Sequence, residues 1–352
     1  MFLLILTFGL AFLLSVYGVP IARRAALKYG IVDCPDGRLK CQREPVPYLG
    51  GLAVYVAFLV SLAFTFEFRQ DVLGIVLAGT LMVILGLIDD FGVLSVGTKL
   101  AGQLLTIFVL IKSGIQIQIA AFPEWLDVTL TVIWMLGITN AFNLLDVMDG
   151  LAAGVGLICT AFLLVVSLVN DNTTIAFMVT ALAGGLLGFL RYNFHPARIY
   201  MGDCGALFLG MMVGTLSMIG QYGGRHQVAL VTPLFLLGVP IFDTLFVMSV
   251  RALHGLPILQ GSPDHLALRL RRWGMTVPQI VIAMYGASAV LGVIGLIVMS
   301  AQEDVAFAFA AAMALCLMLA VPLLTRLDGT APVVPEAQPV PVPARRMGGS
   351  RA

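Results

Sequence analysis

From residue 152 to residue 169 the chain reads AAGVGLICTAFLLVVSLV, which is eighteen residues without a charged side chain. An apolar stretch of about 20 residues is what an α-helix needs to cross a hydrocarbon core about 30 Å thick. Comparable stretches recur, and we expect about eleven transmembrane helices, at residues 1–22, 48–66, 72–88, 98–112, 126–139, 152–169, 174–190, 205–220, 229–250, 279–300 and 305–324. The sequence therefore predicts an all-α, polytopic integral membrane protein.

The composition supports this fold class. Hydrophobic residues make up 60% of the 352-residue chain and charged residues only 11%, whereas soluble domains carry roughly a quarter of their residues as charges. A water-soluble globule is therefore excluded, and the lipid bilayer is the expected surrounding. The formal net charge of +1 lacks the basic field that a nucleic-acid partner requires. The five cysteines show no CxxC spacing, so neither a disulfide framework nor a zinc site is expected.

The distribution of basic residues predicts the orientation, because short cytoplasmic loops are rich in Lys and Arg. With the N-terminus outside, 17 of the 20 basic residues fall on the cytoplasmic side, and only Arg69, Lys112 and Arg225 fall outside. The C-terminus is then cytoplasmic. Residues 1–327 are expected to form a single integral membrane domain with its active site on the cytoplasmic loops, and the proline-rich residues 328–352 a disordered cytoplasmic tail.

Polar residues of the predicted membrane domain gather on its cytoplasmic side. A carboxylate deep in a bilayer costs about 2.5 to 3.5 kcal/mol, so such residues are retained mostly for function or lie at the boundary. Asp89 and Asp90 close the third predicted span, and Lys99 begins the fourth. Adjacent carboxylates repel each other, and a cation or a proton relieves the repulsion. Phosphate chemistry with a bound cation explains the pair, and a solvated helix end explains it equally well.

Four polar residues follow at steps of three, namely Asn140, Asn143, Asp146 and Asp149. On an α-helix, adjacent members of this series share a face, whereas the first and the last point in opposite directions. Asn143, Asp146 and Asp149 are thus expected to converge on one ligand. Amide and carboxylate oxygens without imidazole or thiolate favour Mg²⁺ over zinc.

Two later segments contain further polar residues. The segment before the eighth predicted span contains Asn193, Tyr200 and Asp203, and the glycines beside Asp203 permit a close approach of the backbone to phosphate. The segment before the tenth contains His265 and Arg269, which are four residues apart and are expected to share a helical face. Arginine binds pyrophosphate oxygens with two hydrogen bonds. A basic membrane anchor is the alternative interpretation of this segment.

Four motifs of the chain resemble those of the polyprenyl-phosphate N-acetylhexosamine-1-phosphate transferases, and they occur in the same order along the sequence. They read Ile-Asp-Asp at 88–90, Asn-Ala-Phe-Asn-Leu-Leu-Asp-Val-Met-Asp-Gly-Leu at 140–151, Tyr-Met-Gly-Asp-Cys-Gly at 200–205 and Ser-Pro-Asp-His at 262–265. An N-terminal loop with Arg38, Gly50 and Gly51 is similar to the substrate-binding loop of that family. The resemblance covers about residues 30–276.

The resemblance implies an Mg²⁺-dependent phosphoglycosyltransferase, with Mn²⁺ as an alternative ion. Such an enzyme moves a sugar 1-phosphate from a UDP-N-acetylhexosamine to a polyprenyl phosphate such as undecaprenyl phosphate and releases UMP. It implies a location in a bacterial cytoplasmic membrane, where the product starts a cell-envelope polysaccharide. The resemblance leaves open whether the protein forms a homodimer.

The same resemblance implies a role for each site residue. The metal ligands would be Asn143 and Asp203. The catalytic residues, which orient or deprotonate the lipid phosphate or neutralise phosphate charge, would be Asp89, Asp90, Lys99, His265 and Arg269. The residues that bind substrate would be Asn140, Asp146, Asp149, Asn193, Tyr200, Arg38, Gly50 and Gly51, with Tyr200 stacked on the uracil.

Two departures from the family pattern concern histidines. Members commonly carry a second and a third histidine where this chain has Ala267 and Leu268. They also often carry one in the N-terminal loop, where this chain has Lys40, Cys41 and Gln42. The missing histidines favour the branch that starts O-antigen, teichoic-acid or exopolysaccharide chains over the branch that uses a muramoyl-pentapeptide donor.

Two other classes of function compete with a transferase. An ion-coupled transporter would bind protons or Na⁺ at broken helices near mid-bilayer, but the acids here gather at cytoplasmic helix ends. A non-catalytic lipid-binding scaffold gives no reason for so many converging acids. Release of UMP from a UDP-sugar would separate the three classes.

Overall fold

A computed structural model describes residues 1–33, 45–67, 70–92, 94–220, 222, 227–257, 262 and 264–328. In this part of the chain the protein is a bundle of α-helices with one short hairpin. The helices are α1 (Phe2–Tyr29), α2 (Gly50–Thr65), α3 (Gln70–Asp90), α4 (Val96–Lys112), α5 (Glu124–Leu145), α6 (Leu151–Val169), α7 (Thr173–Asn193), α8 (Gly202–Met218), α9 (Thr232–Leu236), α10 (Gly238–Leu253), α11 (Leu266–Arg272), α12 (Val277–Ser300) and α13 (Glu303–Asp328). The strands are β1 (Val32–Asp33) and β2 (Val46–Pro47), and a 3-10 helix covers Gln227–Val231.

Each of the eleven predicted spans coincides with helical structure, but the ninth is broken. Residues 229–250 are divided among the end of the 3-10 helix, the short α9, and α10, and the halves Val228–Leu236 and Gly238–Leu253 are inclined by 79°. Pro240 explains the break, because its ring would clash with the carbonyl of Leu236 if one helix ran through both. The Leu236 carbonyl instead accepts a hydrogen bond from Cys159 Sγ at 3.2 Å.

The described helices confirm the all-α membrane fold class. Six of them are long and apolar enough to cross a membrane, or up to seven if the bent pair counts as one span. α2 and α8 are also apolar, but they contain only 16 and 17 residues. The predicted count of about eleven spans is therefore not confirmed. The predicted C-terminal tail, apart from Asp328 at the end of α13, lies outside the described residues.

α8 lies at the centre of the bundle, and all of its residues from Cys204 to Ser217 are buried. Glycines let neighbouring helices approach it, as small residues do in many membrane bundles. A Cβ added at Gly210 would lie 2.7 Å from the Cα of Thr139 on α5. This close contact fixes the separation of α5 and α8, which carry Asn143 and Asp203.

The hairpin covers one end of the bundle. β1 and β2 pair antiparallel, and the backbone N–H of Tyr200 donates to the carbonyl of Pro47 at 2.9 Å. The N–H of Gly50 donates to the carbonyl of Tyr200 at 3.0 Å, and that of Gly51 to the carbonyl of Met201 at 2.9 Å. A Cβ at Gly50 or Gly51 would lie only 2.7 or 2.8 Å from these carbonyl oxygens. The first turn of α2 therefore packs directly on the segment that leads into α8.

Candidate active site

A cavity of about 650 Å³ lies at the end of the bundle that the hairpin covers. The C-terminal ends of α3, α5 and α7, the turn before α6 and the N-terminal end of α8 surround it. Side chains from all four sequence motifs line it. Six of the lining residues are carboxylates, namely Asp33, Asp89, Asp90, Asp146, Asp149 and Asp203.

Lys99 joins three predicted site residues into what we term the Lys99 cluster, formed by Lys99, Asp89, Asn143 and Asp203. The ammonium group of Lys99 lies 2.7 Å from Asp89 Oδ2 and 2.9 Å from Asp203 Oδ2. It also donates to Asn143 Oδ1 at 3.0 Å, and Asn143 Nδ2 donates to Asp203 Oδ1 at 2.7 Å. The side chains of Lys99 and Asp89 are only 18% and 14% exposed, so solvent screens their attraction only in part.

Asp90 fixes the start of α8. Its Oδ1 accepts a hydrogen bond from the backbone N–H of Asp203 at 2.7 Å, and its Oδ2 accepts one from that of Cys204 at 3.2 Å. The carboxylate thereby satisfies amides that lack partners at a helix N-terminus and complements the helix dipole. Gly202 has a φ of 73°, and a Cβ there would lie 2.8 Å from Asp90 Oδ2. Glycine is therefore required beside Asp203 for this contact.

The predicted helical arrangement of the second motif is wrong at its C-terminal end. α5 ends at Leu145, and Asp146 and Asp149 lie in the turn before α6. Gly150 precedes α6 with a φ of 77°, a left-handed conformation that a continuous helix does not permit. The turn still brings both carboxylates to the cavity beside Asn143.

Asn193 holds this turn in place. Its Oδ1 accepts a hydrogen bond from the N–H of Gly150 at 3.0 Å, and its Nδ2 donates to the carbonyl of Ile199 at 3.0 Å. Only 2% of the residue is exposed, so its amide mainly serves the backbone. Asp149 Oδ2 lies 2.7 Å from His195 Nδ1, which ties the turn to the segment after α7.

The crowding of acids changes the protonation equilibria of the cavity. The pKa of Asp146 is raised to about 7, chiefly by burial and then by repulsion from Asp203, Asp90 and Asp149. The pKa of Tyr200 is raised to about 12, again chiefly by burial and then by nearby carboxylates. A cation bound in the cavity would relieve the repulsion between the acids.

His265 and Arg269 lie where α10 and α11 meet. His265 immediately precedes α11 and lines the cavity, and its Nδ1 lies 2.7 Å from Asp243 Oδ2. Arg269 is 3% exposed, and one of its terminal nitrogens lies 3.2 Å from Asp264 Oδ1. The pKa of Arg269 is lowered, chiefly by burial, and the charge of Asp264 offsets only part of this shift. The guanidinium also lies 4.9 Å from the centre of the Phe246 ring.

The cavity brings together most of the predicted site residues. Those that line it are Asp89, Asp90, Asn143, Asp146, Asp149, Asn193, Tyr200, Asp203 and His265. Lys99 reaches it through the contacts of the Lys99 cluster. Their proposed roles stay predictions.

Four other predicted site residues, Asn140, Gly50, Gly51 and Arg269, do not line the cavity. Asn140 exchanges hydrogen bonds of 2.8 and 3.2 Å with the side-chain amide of Gln103 on α4. Gly50 and Gly51 serve the packing of α2, and the buried side chain of Arg269 contacts Asp264 and Phe246. The predicted substrate-binding residue Arg38 lies outside the described residues, as do Lys40, Cys41 and Gln42.

Two cavity residues belong to the N-terminal segments 33–38 and 45–51, which resemble the substrate-binding loop of the family, although the sequence predicted no individual role for either. Asp33 in β1 and Tyr48 directly after β2 line the cavity, and the hydroxyl of Tyr48 donates to the carbonyl of Asp90 at 3.0 Å. Asp243, which holds His265, was not predicted. A sequence signal for Asp243 existed, because it is a lone carboxylate within the apolar stretch 229–250.

Asn143 and Asp203 offer hard oxygen ligands side by side. No group of three or more His, Cys, Asp or Glu side chains within the described ranges is arranged to hold a metal ion by itself. Mg²⁺ usually binds proteins through one or two carboxylates and completes its coordination with water and substrate phosphates. The residues therefore fit a Mg²⁺ ion held jointly with a substrate, and they do not fit a metal enclosed by protein ligands alone.

Comparisons with known proteins point to one family. The family model described as Glycosyl transferase family 4 matches residues 72–221. The chain is 33% identical over 304 residues to the "Probable undecaprenyl-phosphate N-acetylglucosaminyl 1-phosphate transferase" of Bacillus subtilis (strain 168), with 83% of this chain and 85% of that protein covered.

Two further relatives have similar identities. The "Decaprenyl-phosphate N-acetylglucosaminephosphotransferase" of Mycolicibacterium smegmatis is 32% identical over 313 residues, with 78% of this chain and 77% of that protein covered. The "Phospho-N-acetylmuramoyl-pentapeptide-transferase" of Caldanaerobacter subterraneus subsp. tengcongensis is 34% identical over 298 residues, with 77% of this chain and 90% of that protein covered.

Proposed function

This chain belongs to glycosyl transferase family 4, and from that membership we propose that it transfers N-acetylhexosamine-1-phosphate from a UDP-sugar to a polyprenyl phosphate. UMP is released, and the lipid-linked sugar starts a cell-envelope polysaccharide. The observation that carries the proposal is the Lys99 cluster, which places a half-buried cation among acids at the ends of apolar helices. Such a site can receive a lipid phosphate and a water-soluble donor together.

The reaction forms one phosphorus–oxygen bond and breaks another. An oxygen of the lipid phosphate attacks the sugar-bearing phosphorus of the donor, and the oxygen that bridges the two phosphorus atoms leaves with UMP. A phosphate monoester is largely ionised near neutral pH. The main tasks of the protein are therefore to align the two phosphates and to stabilise the charge on the transferred group.

The geometry suggests different tasks for the two adjacent acids. Both carboxylate oxygens of Asp90 accept hydrogen bonds from backbone amides of α8, so we assign Asp90 to holding the start of that helix. Asp89 contacts Lys99, and we assign it to orienting the lipid phosphate or accepting its proton. Lys99 would neutralise phosphate charge.

Asn143 and Asp203 would hold the Mg²⁺ ion, with Mn²⁺ as an alternative. When bound, the ion would offset the charge of the donor pyrophosphate. Asp146 and Asp149 lie in the turn before α6, and together with Tyr200 they would bind the nucleotide part of the donor. The cytoplasmic position of this site, the outside N-terminus and a homodimer remain predictions from the sequence.

The donor is proposed to be UDP-N-acetylglucosamine. Two of the three relatives named above carry N-acetylglucosamine in their names, and the third carries N-acetylmuramoyl-pentapeptide. Leu268, at a position where histidine is common in the family, lines the cavity with an apolar side chain. It offers no hydrogen bond to a charged or peptide-bearing donor, which supports the branch without a muramoyl donor.

A donor panel tests the proposal. Purified protein in detergent receives polyprenyl phosphate and one radiolabelled donor, either UDP-N-acetylglucosamine, UDP-N-acetylgalactosamine or UDP-N-acetylmuramoyl-pentapeptide. We expect lipid-dependent release of UMP that is fastest with UDP-N-acetylglucosamine. Absence of UMP with every donor would overturn the transferase, and a preference for the muramoyl donor would overturn the choice of branch.

A further inference from the structure

Asp243 is a buried carboxylate that the proposed chemistry does not use. Asp243 on α10 and His265 beside it are each 1% exposed. Asp243 Oδ2 lies 2.7 Å from His265 Nδ1, and Asp243 Oδ1 accepts a hydrogen bond from the backbone N–H of Leu266 at 2.8 Å. One carboxylate therefore holds both the ring of His265 and the first residue of α11.

These contacts determine which nitrogen of His265 carries a proton. An ionised carboxylate only accepts hydrogen bonds, so His265 Nδ1 must donate to Asp243. Nε2 is then the ring nitrogen available to the cavity, which His265 lines. A buried aspartate acts in the same way on the histidine of a serine-protease triad, where it fixes the tautomer and stabilises the charged ring.

The same face of α10 also supports Arg269. Phe246 follows Asp243 by three residues and therefore lies on the same helical face. The guanidinium of Arg269 lies 4.9 Å from the centre of the Phe246 ring. One of its terminal nitrogens also lies 3.2 Å from Oδ1 of Asp264, which precedes α11. α10 thus contacts both His265 and Arg269.

We infer that Asp243 is a positioning residue for the transfer reaction. By binding His265 Nδ1 it directs Nε2 into the cavity and stabilises the charged ring, whose Nε2–H then donates to a phosphate oxygen of the reacting substrates. The inference rests on the proposed function for its chemistry. The tautomer and orientation of His265, however, are properties of the protein alone and can be measured without substrate.

Asp243→Asn tests the catalytic part of the inference. The amide oxygen can still accept from the N–H of Leu266, but the amide nitrogen is a donor, so His265 Nδ1 must become an acceptor. The ring then carries a proton on Nε2 only and loses the positive charge that stabilises the transferred phosphate. We expect kcat for UMP release to fall by about 10²-fold or more with little change in the KM for the donor. Asp243→Glu, which keeps a carboxylate, should recover part of the loss.

Asp127→Asn is the matched control. Asp127 on α5 is also buried, at 7% exposure, and its carboxylate also accepts from a backbone N–H, that of Ile119 at 3.3 Å. It lies in the first turn of α5, at the opposite end of that helix from Asn143. We expect this variant to keep the wild-type kcat. An equal loss of kcat in the two Asp→Asn variants would overturn the inference.

A double-mutant cycle asks whether Asp243 acts through His265. In a His265→Ala background, Asp243→Asn should cost little further activity, because residues that act as a unit give strongly non-additive losses. Losses that multiply independently would instead assign Asp243 a role apart from His265 and overturn the inference.

A spectroscopic measurement separates this inference from the proposed function. The chain contains four histidines, so ¹⁵N-histidine labelling gives few signals, and the spectrum of His265→Ala identifies that of His265. We expect a protonated Nδ1 in the wild-type protein and an unprotonated Nδ1 in Asp243→Asn. An unprotonated Nδ1 in the wild-type protein would overturn the inference even if UMP is released. A wild-type proton on Nδ1 without UMP release would support the orientation of His265 and overturn the proposed function instead.

Discussion

The two ends of the helix bundle use buried polar side chains in different ways. At the end away from the cavity, the buried Thr7 and Thr65 join two helices, and several polar side chains close short loops. Asp127 accepts a hydrogen bond from Ile119, which is 8 residues away, and Asn172 caps α7 by accepting one from Ile175, which is 3 residues away. Each contact stabilises its own stretch of chain, and folding alone explains it.

At the cavity end, polar side chains meet across long stretches of sequence. Lys99 contacts Asp203, which is 104 residues away, and Asp90 accepts a hydrogen bond from the backbone of Asp203, which is 113 residues away. The acids still face a cavity after these contacts are made, although burying several like charges together is unfavourable. Folding does not explain such an arrangement, whereas the proposed binding of phosphates and a cation would.

The largest expected effect is at Asp203. Asp203→Asn keeps the shape of the side chain but removes one charge of the Lys99 cluster and a proposed metal ligand. We expect UMP release to fall by about 10³-fold, with an unchanged size-exclusion profile in detergent. Asp127→Asn makes the same change at the other end and should keep full turnover. Similar losses in both variants would contradict the contrast between the two ends.

Removal of divalent cations is expected to have a comparable effect. Excess EDTA should stop UMP release, and Mg²⁺ or Mn²⁺ should restore it. The unfolding temperature should change little, because Lys99 links Asp89 and Asp203 directly. Activity that persists in EDTA would remove the metal assignment of Asn143 and Asp203.

A smaller effect is expected in α11, where Arg269 and Arg271 form a matched pair. Arg269 is buried, whereas Arg271 is exposed. We expect Arg269→Ala and His265→Ala each to lower kcat by about 10²-fold, and Arg271→Ala to cost little under saturating donor and lipid. Equal, mild losses at the three positions would make this segment a basic membrane anchor.

The smallest effect is expected at the end away from the cavity. Thr65→Val removes a buried hydrogen bond of 2.8 Å between the hydroxyls of Thr7 and Thr65. We expect the free energy of unfolding to fall by about 0.5 to 1.5 kcal/mol and the rate of UMP release to stay the same. Chemical unfolding in detergent beside the UMP assay measures both, and a loss of turnover in the folded variant would contradict the contrast.

Features that depend on local sequence could be predicted. The all-α membrane class follows from hydropathy, and the motifs predicted the family that the comparisons confirm. The motifs also predicted which side chains gather at the cavity, because each polar group stands out against an apolar background. Asp89, Asn143 and Asp203 are among the residues that meet there.

Features that depend on tertiary contacts could not be predicted. Gly50 was expected to bind substrate, but its lack of a side chain is required by a carbonyl from residue 200, which only the folded chain brings close. Asn140 fits the three-residue spacing of its motif, yet its amide pairs with Gln103 on the neighbouring α4. The turn at Gly150 breaks the helical spacing, since a left-handed glycine overrides the periodicity around it.

The packing of α1 has a consequence for the order of membrane assembly. Thr7 of α1 bonds to Thr65 of α2, which is 58 residues away, whereas Ser15 donates to the carbonyl of Gly185 on α7, which is 170 residues away. At synthesis rates of about 5 to 20 residues per second, the first partner emerges about 3 to 12 s after α1 and the second about 9 to 34 s after it. We therefore expect α1 to pack on α2 first, while the face of α1 that contacts α7 stays exposed to lipid until α7 is made. A chain interrupted after α6 would leave α1 without its contact to α7.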